Sequence, residues 1–349
     1  MRVLTVNAGS SSLKLSLLDA GSDEPAWSAE IEPQQLEPTV AALERIDAVG
    51  HRIVHGGELF RDAVRLDADV RRALDELSGL APLHQPKSLA ALDAVCAALP
   101  EAPAVACFDT AFHASLPAAA ATYALPQAWR ERWGIRRYGF HGLSHAWIAR
   151  CVPELLGRSS KELGIVSCHL GAGASLCAIS EGRSVDTTMG FTPLEGLVMA
   201  TRSGSVDPGL LLWLLERTGL AERELAEALE HESGLLGLSG TADMRAVLER
   251  AAAGDRRAEL ARDVYIHRLR TGIAAMAASL GGVDALAFTG GVGERSAEVR
   301  ERAVEGLGFL MRGAEVLVLP TREDLEIARQ VREVLGTAGA SGAPGAAHS

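Results

Sequence analysis

The sequence predicts an α/β protein made of two similar domains, and three observations carry that prediction. A glycine-turn hairpin opens the chain, a hairpin of the same shape recurs from Gly164 to Ile179, and apolar residues at helical spacing fill most of the remainder. The 349 residues suffice for about two domains of ordinary size. With 48% hydrophobic and 23% charged residues the chain can bury real cores, which excludes a disordered or fibrous class.

In chain order, Val3 to Val6 is a short β-rich run and Ala8 to Ser10 supplies turn residues. Leu13, Leu15 and Leu17 then alternate with Lys14 and Ser16, as a half-buried strand requires. Helical spacing follows in DADVRRALDEL and KSLAALDAVCAAL. The second hairpin comes next: an apolar run ending in SCHL, the turn GAGA, and SLCAI. RELAEALEH and AELARDVYIHRLRTGIAAMAASL are helical. The strand-like DALAF leads into a glycine-rich loop, FTGGVGERS, and then the helical AEVRERAVEGL. DLEIARQVREVL is the last helix. From Gly336 the chain is small and polar without an apolar period, and this tail is expected to be disordered.

Composition narrows the function. Thirty-four basic against forty-five acidic residues give a net charge of -11, so no broad basic surface exists to displace counterions from nucleic acid. Any polyanion must be held locally, by a few cationic side chains and backbone amides. Five cysteines, odd in number and without a C-x-x-C, read as reduced core residues rather than as disulfides or a zinc site. The N-terminus lacks the apolar core of a signal peptide and no run approaches the roughly 18 apolar residues of a membrane span. A cytoplasmic protein without membrane contact is expected.

Several clusters carry chemistry. In VNAGSSSLK, Ser10 and Ser12 could donate to a phosphate and Lys14 supply charge, although an ordinary hairpin turn explains the same residues and no Walker A pattern is present. In GHRIVHGGELF, Arg52 sits inside an apolar strand-like run and must find an anion, either a substrate or a structural carboxylate. Asp109 follows an apolar run, where a strand would end and α/β proteins place catalytic groups. His141 and His145 in RRYGFHGLSH lack the glutamate and third ligand of a zinc site.

VNAGSSSLK, GHRIVHGGE, APLHQP, FDTAFH, RYGFHGLSH, CHLGAGAS, MGFTPLEGL, ATRSGSVDP, FTGGVGERS and PTREDLEIAR stand in the order and approximate wording of the acetate kinase family, which the chain therefore resembles from first strand to last helix. The resemblance implies two ribonuclease-H-like domains of the actin, hexokinase and Hsp70 superfamily flanking an active-site cleft. The N-terminal domain would be 1–113 plus 325–336, the nucleotide-binding domain 114–324, and the tail 337–349. It also implies phosphoryl transfer from ATP to acetate with Mg²⁺ (or Mn²⁺), and a homodimer.

By position, the resemblance makes Arg52, Asp109, His141 and Arg202 catalytic, the arginines holding the carboxylate and the transferred phosphoryl group and His141 donating to it. Val54, Leu83, Phe140 and Pro193 would form the acyl pocket beside Arg52. Asn7, Ser10, Ser12, Lys14, His169, Gly171 and Gly173 would line the phosphates. Asp243, Met244 and Arg245 would meet the adenosine, and Gly291, Val292, Gly293 and Glu294 would let the nucleotide backbone pass. Asn7 and Glu323, with Asp109, would orient the metal. The chain departs from the family wording at Ala172 (asparagine), Ala200 (glycine), Leu143 (threonine), Arg295 and Arg322 (both asparagine).

Overall fold

The computed structural model describes residues 1–8, 12–80, 85–311 and 313–340, with side chains to residue 336. Ser10 and Leu83, both named above, and the histidine of APLHQP lie outside the described residues, as does the tail from 341. The chain divides into two compact units: Met1–Phe112 with Gly142–Trp147 and the chain from Arg322 on, and His113–His141 with Ile148–Thr321.

The first unit holds strands β1 (Val3–Ala8), β2 (Leu13–Leu18), β3 (Trp27–Ile31), β4 (Ala48–Ile53), β5 (Val64–Arg65) and β6 (Ala104–Phe108) in one sheet of order β3-β2-β1-β4-β6-β5. β1, β2 and β3 run antiparallel as the hairpin pattern predicts, while β1, β4 and β6 are parallel. Helix Gln85–Ala98 covers one face, its Ala91 and Val95 packing with Leu4, Val6, Leu15 and Val49. Helix Glu323–Ala340 covers the other with Leu325, Ile327, Ala328 and Val331, and continues past Gly336, where irregular chain is expected.

Alternation along β4 sends Val49 and His51 to one face and Gly50 and Arg52 to the other. Gly50 is required by packing, because a Cβ there would meet Ile327 and lie 2.7 Å from the Val331 side chain. The C-terminal helix thus rests on the backbone of β4, and its first residue, Glu323, comes level with Arg52.

The second unit repeats this plan. β7 (Gly164–Leu170), β8 (Ala174–Ser180), β9 (Arg183–Thr187), β10 (Ala285–Thr289) and β11 (Glu315–Val318) take the order β11-β10-β7-β8-β9. β7, β8 and β9 form an antiparallel meander, and β10 lies parallel between β7 and β11. That is the arrangement of β1, β2, β3, β4 and β6, so the recurring hairpin does mark a repeated sheet. Helix Arg256–Leu280 packs on β8, capped by Asp255, whose carboxylate accepts from the Arg257 and Ala258 amides. Its Gly272 comes so close to the sheet that a Cβ would lie 2.8 Å from Leu176.

The glycine-rich segment after β10 differs from expectation. Gly290–Arg295 forms a short helix rather than a loop, followed by helix Ala297–Val304. Gly290 adopts φ +81, where a Cβ would strike the Leu170 backbone. The Glu294 carboxylate accepts from the Gly290 and Thr321 amides and the Thr321 hydroxyl, which closes the turn on itself.

Burial pushes the imidazoles of His51, His55 and His113 down to about 4. Each is therefore neutral in the fold at neutral pH and would charge readily once released. Their contribution to stability is present above the unfolded value near 6.5 and is lost as pH falls from there towards 4. Denaturant unfolding at pH 7.5 and 5.0 should show a loss of roughly 1–2 kcal/mol per histidine, with proton uptake on unfolding. Equal stability at both values would contradict this.

Candidate active site

In the first unit, four polar side chains meet at the carboxyl ends of parallel strands, where an α/β sheet leaves backbone uncovered. Asn7 is near the end of β1, Arg52 is next to last in β4, Asp109 follows β6, and Glu323 opens the C-terminal helix. Register brings them level: Val6 pairs with His51, Arg52 with Cys107, and the Asp109 amide donates to the Ile53 carbonyl at 3.0 Å.

Arg52 grips Asp109 with both ends of its fork, Nε to Oδ1 at 2.9 Å and Nη2 to Oδ2 at 2.6 Å. Its Nη1 donates to Asn7 Oδ1 at 2.9 Å and lies 3.6 Å from Glu323 Oε2. Asn7 Nδ2 donates to Glu323 Oε2 at 2.7 Å. Burial alone would depress the guanidinium, but Asp109 and then Glu323 outweigh it and hold the pKa above its ordinary value. Asp109 and Glu323 both face this guanidinium, and hard oxygen donors of this kind suit a cation.

The second unit presents the complementary case. Arg202 has Glu230 as its carboxylate, Nε to Oε2 at 3.3 Å, and its Nη1 donates to the Pro193 carbonyl at 3.4 Å. Here burial prevails over Glu230, so the pKa is lowered: this guanidinium has more charge than its surroundings balance. An anion would be welcome beside it.

His141 stands before helix Gly142–Leu156 with φ +56, its Nδ1 2.9 Å from Ser175 Oγ and its ring stacked on His169 at 4.2 Å between centroids. Gly173 lies in the turn between β7 and β8. A Cβ there would be 3.3 Å from His141 Nε2 and 3.4 Å from Arg202 Nη1, so an imidazole and a guanidinium border the same stretch of bare backbone. That is the form of an anion cradle: one guanidinium, one imidazole and a glycine turn.

Other expected residues are placed as follows. Ser12 Oγ donates to Glu30 at 2.5 Å, and Lys14 pairs across the sheet with Asn7 and Glu30. Phe140 is buried, and Val54 is half-buried just past β4. Gly171 donates its amide to the Gly173 carbonyl. Asp243 caps helix Met244–Ala252 through the Arg245 amide, Met244 is buried in the core, and Arg245 is exposed. Gly291 has open space beside it, Val292 is half-buried, and Gly293 packs near Leu170.

The departures from the family wording also have positions. Ala172 and Ala200 are joined through their backbones, Leu143 is core, Arg295 is exposed, and Arg322 is bound by Asp324 and the Asp23 carbonyl. Glu230, Ser175 and His113 were not singled out by sequence reasoning. Nor was the trio in which Tyr123 donates to Glu195 and Arg137 grips Glu195 at 2.8 Å, which fastens the segment carrying Phe191 and Pro193. Among the described residues no helix is long and apolar enough to cross a membrane.

Comparison with known proteins agrees with this geometry. The profile of the Acetokinase family matches residues 34–327. Acetate kinase of Nostoc punctiforme is 49% identical over 315 residues, 84% of this chain and 78% of the relative. The crystal structure of Porphyromonas gingivalis acetate kinase superposes with a TM-score of 0.88 at 34% identity, over 96% of this chain and 99% of that one. A propionate kinase from Francisella tularensis superposes with a TM-score of 0.89 at 32% identity, over 95% and 99%. These likenesses establish two domains of the actin and hexokinase type, and the chain belongs to the acetokinase family of phosphotransferring kinases.

Proposed function

We propose that this enzyme moves the γ-phosphoryl group of ATP reversibly onto acetate, giving acetyl phosphate and ADP, by direct in-line transfer. The observation that carries this reading is the pair of half-buried guanidiniums. Arg202 with His141 borders the Gly173 backbone, and Arg52 is embedded in carboxylates at the strand ends of the other unit.

The chemistry asks for such groups. An acetate oxygen attacks the γ-phosphorus as the bond to the β-phosphate oxygen breaks, and the electron pair leaves with ADP. Acetate is already ionised at neutral pH, so no general base is needed. His141 then acts as a hydrogen-bond donor to phosphoryl oxygens, held by Ser175 and by stacking on His169. Arg202 and Arg52 neutralise the two repelling anions, and Asn7 adds an amide donor.

Asp109 and Glu323, with Asn7, are hard oxygen donors, and they fit Mg²⁺, or Mn²⁺, directly or through water. When bound there, the metal would supply positive charge that neutralises charge developing in the transfer. Among the described residues no third His, Cys, Asp or Glu joins Asp109 and Glu323 in a group that could hold a metal. Lys14, Ser12 and the turn of Gly171 and Gly173 would lie along the phosphates. The adenosine would meet Asp243, Met244 and Arg245, and the open side of Gly291 supports close passage of the nucleotide.

Val54, Phe140 and Pro193 are apolar and would favour the methyl group of acetate. The likeness to a propionate kinase supports a second reading in which a longer acyl group is accepted. We also propose a cytoplasmic homodimer. The exposed Leu210, Leu212 and Trp213 on helix Pro208–Arg217 support pairing, and five free cysteines suit a reducing compartment.

Acetate, MgATP and hydroxylamine should yield acetyl hydroxamate; nucleotide binding without any hydroxamate would instead mark a non-catalytic homologue. In a chain-length series, kcat/KM for propionate should fall roughly 10- to 100-fold below that for acetate without vanishing, and propionate outrunning acetate would favour the second reading. Arg202→Ala should cost about 10²–10³-fold in kcat with the fold retained. Gly173→Ala should lower kcat as well, because its methyl group would occupy the space flanked by Arg202 and His141. Unchanged turnover in either variant would remove that cradle from the mechanism.

A further inference from the structure

The mechanism leaves one buried network in the second unit unused, and it ends on the peptide bond that enters His141. His113, at 0% exposure, places Nε2 3.0 Å from the Phe140 carbonyl oxygen and Nδ1 2.8 Å from Ser184 Oγ. A carbonyl oxygen only accepts, so Nε2 carries the proton. Burial keeps this imidazole neutral, at about 4, and Nδ1 is therefore the accepting nitrogen, facing the Ser184 hydroxyl. Ser184 Oγ in turn accepts from the Cys177 thiol at 3.3 Å. Burial pushes that thiol up to about 12, so it remains a donor. The Ser184 hydroxyl thus donates to His113 Nδ1 and His113 Nε2–H to the Phe140 carbonyl, while the Cys177 thiol is shared between Ser184 Oγ and the Ala178 carbonyl.

The residue after that carbonyl is conformationally unusual. His141 has φ +56, and among the described non-glycine residues it shares a positive φ only with Arg45 and Glu181. Glu181 sits in the turn between β8 and β9, and Arg45 in the irregular chain ahead of β4, whereas His141 begins a helix of fifteen residues. Holding a non-glycine residue there costs about 1 kcal/mol or more and needs neighbours that over-determine it. Packing adds to the hydrogen bond: Gly139 has φ +74, and a Cβ on it would lie 2.6 Å from the His113 ring and 2.8 Å from Thr187. The 139–141 strap is thus laid directly on the His113 ring, without an intervening side chain.

We propose that His113 is a positioning residue for His141. Its Nε2–H anchors the Phe140 carbonyl and so holds His141 in the left-handed backbone that sets its imidazole beside Ser175 and Gly173, with Ser184 and Cys177 fixing the required tautomer. The proposal rests on His141 acting in phosphoryl transfer, as read above.

The test compares His113→Phe, which keeps the ring but loses the donor, with His113→Gln, whose amide nitrogen can replace Nε2–H, and with Ser184→Ala. All are made in the full chain, with melting curves to check folding. His113→Phe should lower kcat at least tenfold while KM for acetate and ATP changes less than threefold. His113→Gln should recover kcat to within about fivefold of the parent, as conservative replacement of a single donor allows. Ser184→Ala, which leaves the ring in place, should lower kcat severalfold and decides the matter if His113→Phe fails to fold. Parent-like kcat in a folded His113→Phe or in Ser184→Ala, or equal impairment of the Phe and Gln variants, would overturn the proposal. Should the parent itself make no acetyl hydroxamate, the functional reading falls separately. The crystal structure of His113→Phe, or of Ser184→Ala, then decides: φ of His141 leaving the left-handed region supports the anchor, and φ unchanged overturns it.

Discussion

A guanidinium taken out of water must be matched by negative charge, and the two arginines of this protein meet that constraint in opposite ways. Arg52 is over-matched: Asp109 holds it bidentately and Glu323 adds a second carboxylate, so its proton is bound more firmly than usual. Arg202 is under-matched: burial prevails over Glu230 and the charged form is disfavoured. The first arrangement invites a cation and the second an anion. The proposed transfer between two anions would use both kinds of place.

The sheets explain how such charge is held at tolerable cost. The first unit presents its polar groups where parallel strands end, while apolar side chains fill both faces behind. Gly50 lets helix Glu323–Ala340 lie on β4, and that contact delivers Glu323 to Arg52 across more than 270 positions of sequence. In the second unit the β7–β8 turn does comparable service, since only a residue without a side chain at 173 leaves both His141 and Arg202 uncovered.

Much of this was legible in the sequence because it is local. The alternation of Leu13, Leu15 and Leu17, the recurrence at Gly164–Ile179, and Asp109 directly behind an apolar run all predict what the structure contains. Less legible were partners chosen by packing. Nothing near Arg202 in sequence announces Glu230, and nothing in FDTAFH separates His113, a core residue, from Asp109, a site residue four positions earlier. The GGVGER stretch was read as a loop from its glycines, yet Glu294 closes it into a helix through Thr321, a contact of tertiary origin. That Ser12 would meet Glu30 across the neighbouring strands is likewise set by register, which the turn residues alone do not announce.

The claim on which the account stands is that Arg52 and Arg202 serve one transition state. A kinetic double-mutant cycle on kcat/KM for acetate, using Arg52→Ala, Arg202→Ala and the double variant with folding verified by melting curves, tests it most directly. The account predicts strong coupling, with the double variant losing far less than the product of the two single losses. Losses that multiply, within experimental error, would mean that the two guanidiniums act independently and would contradict it.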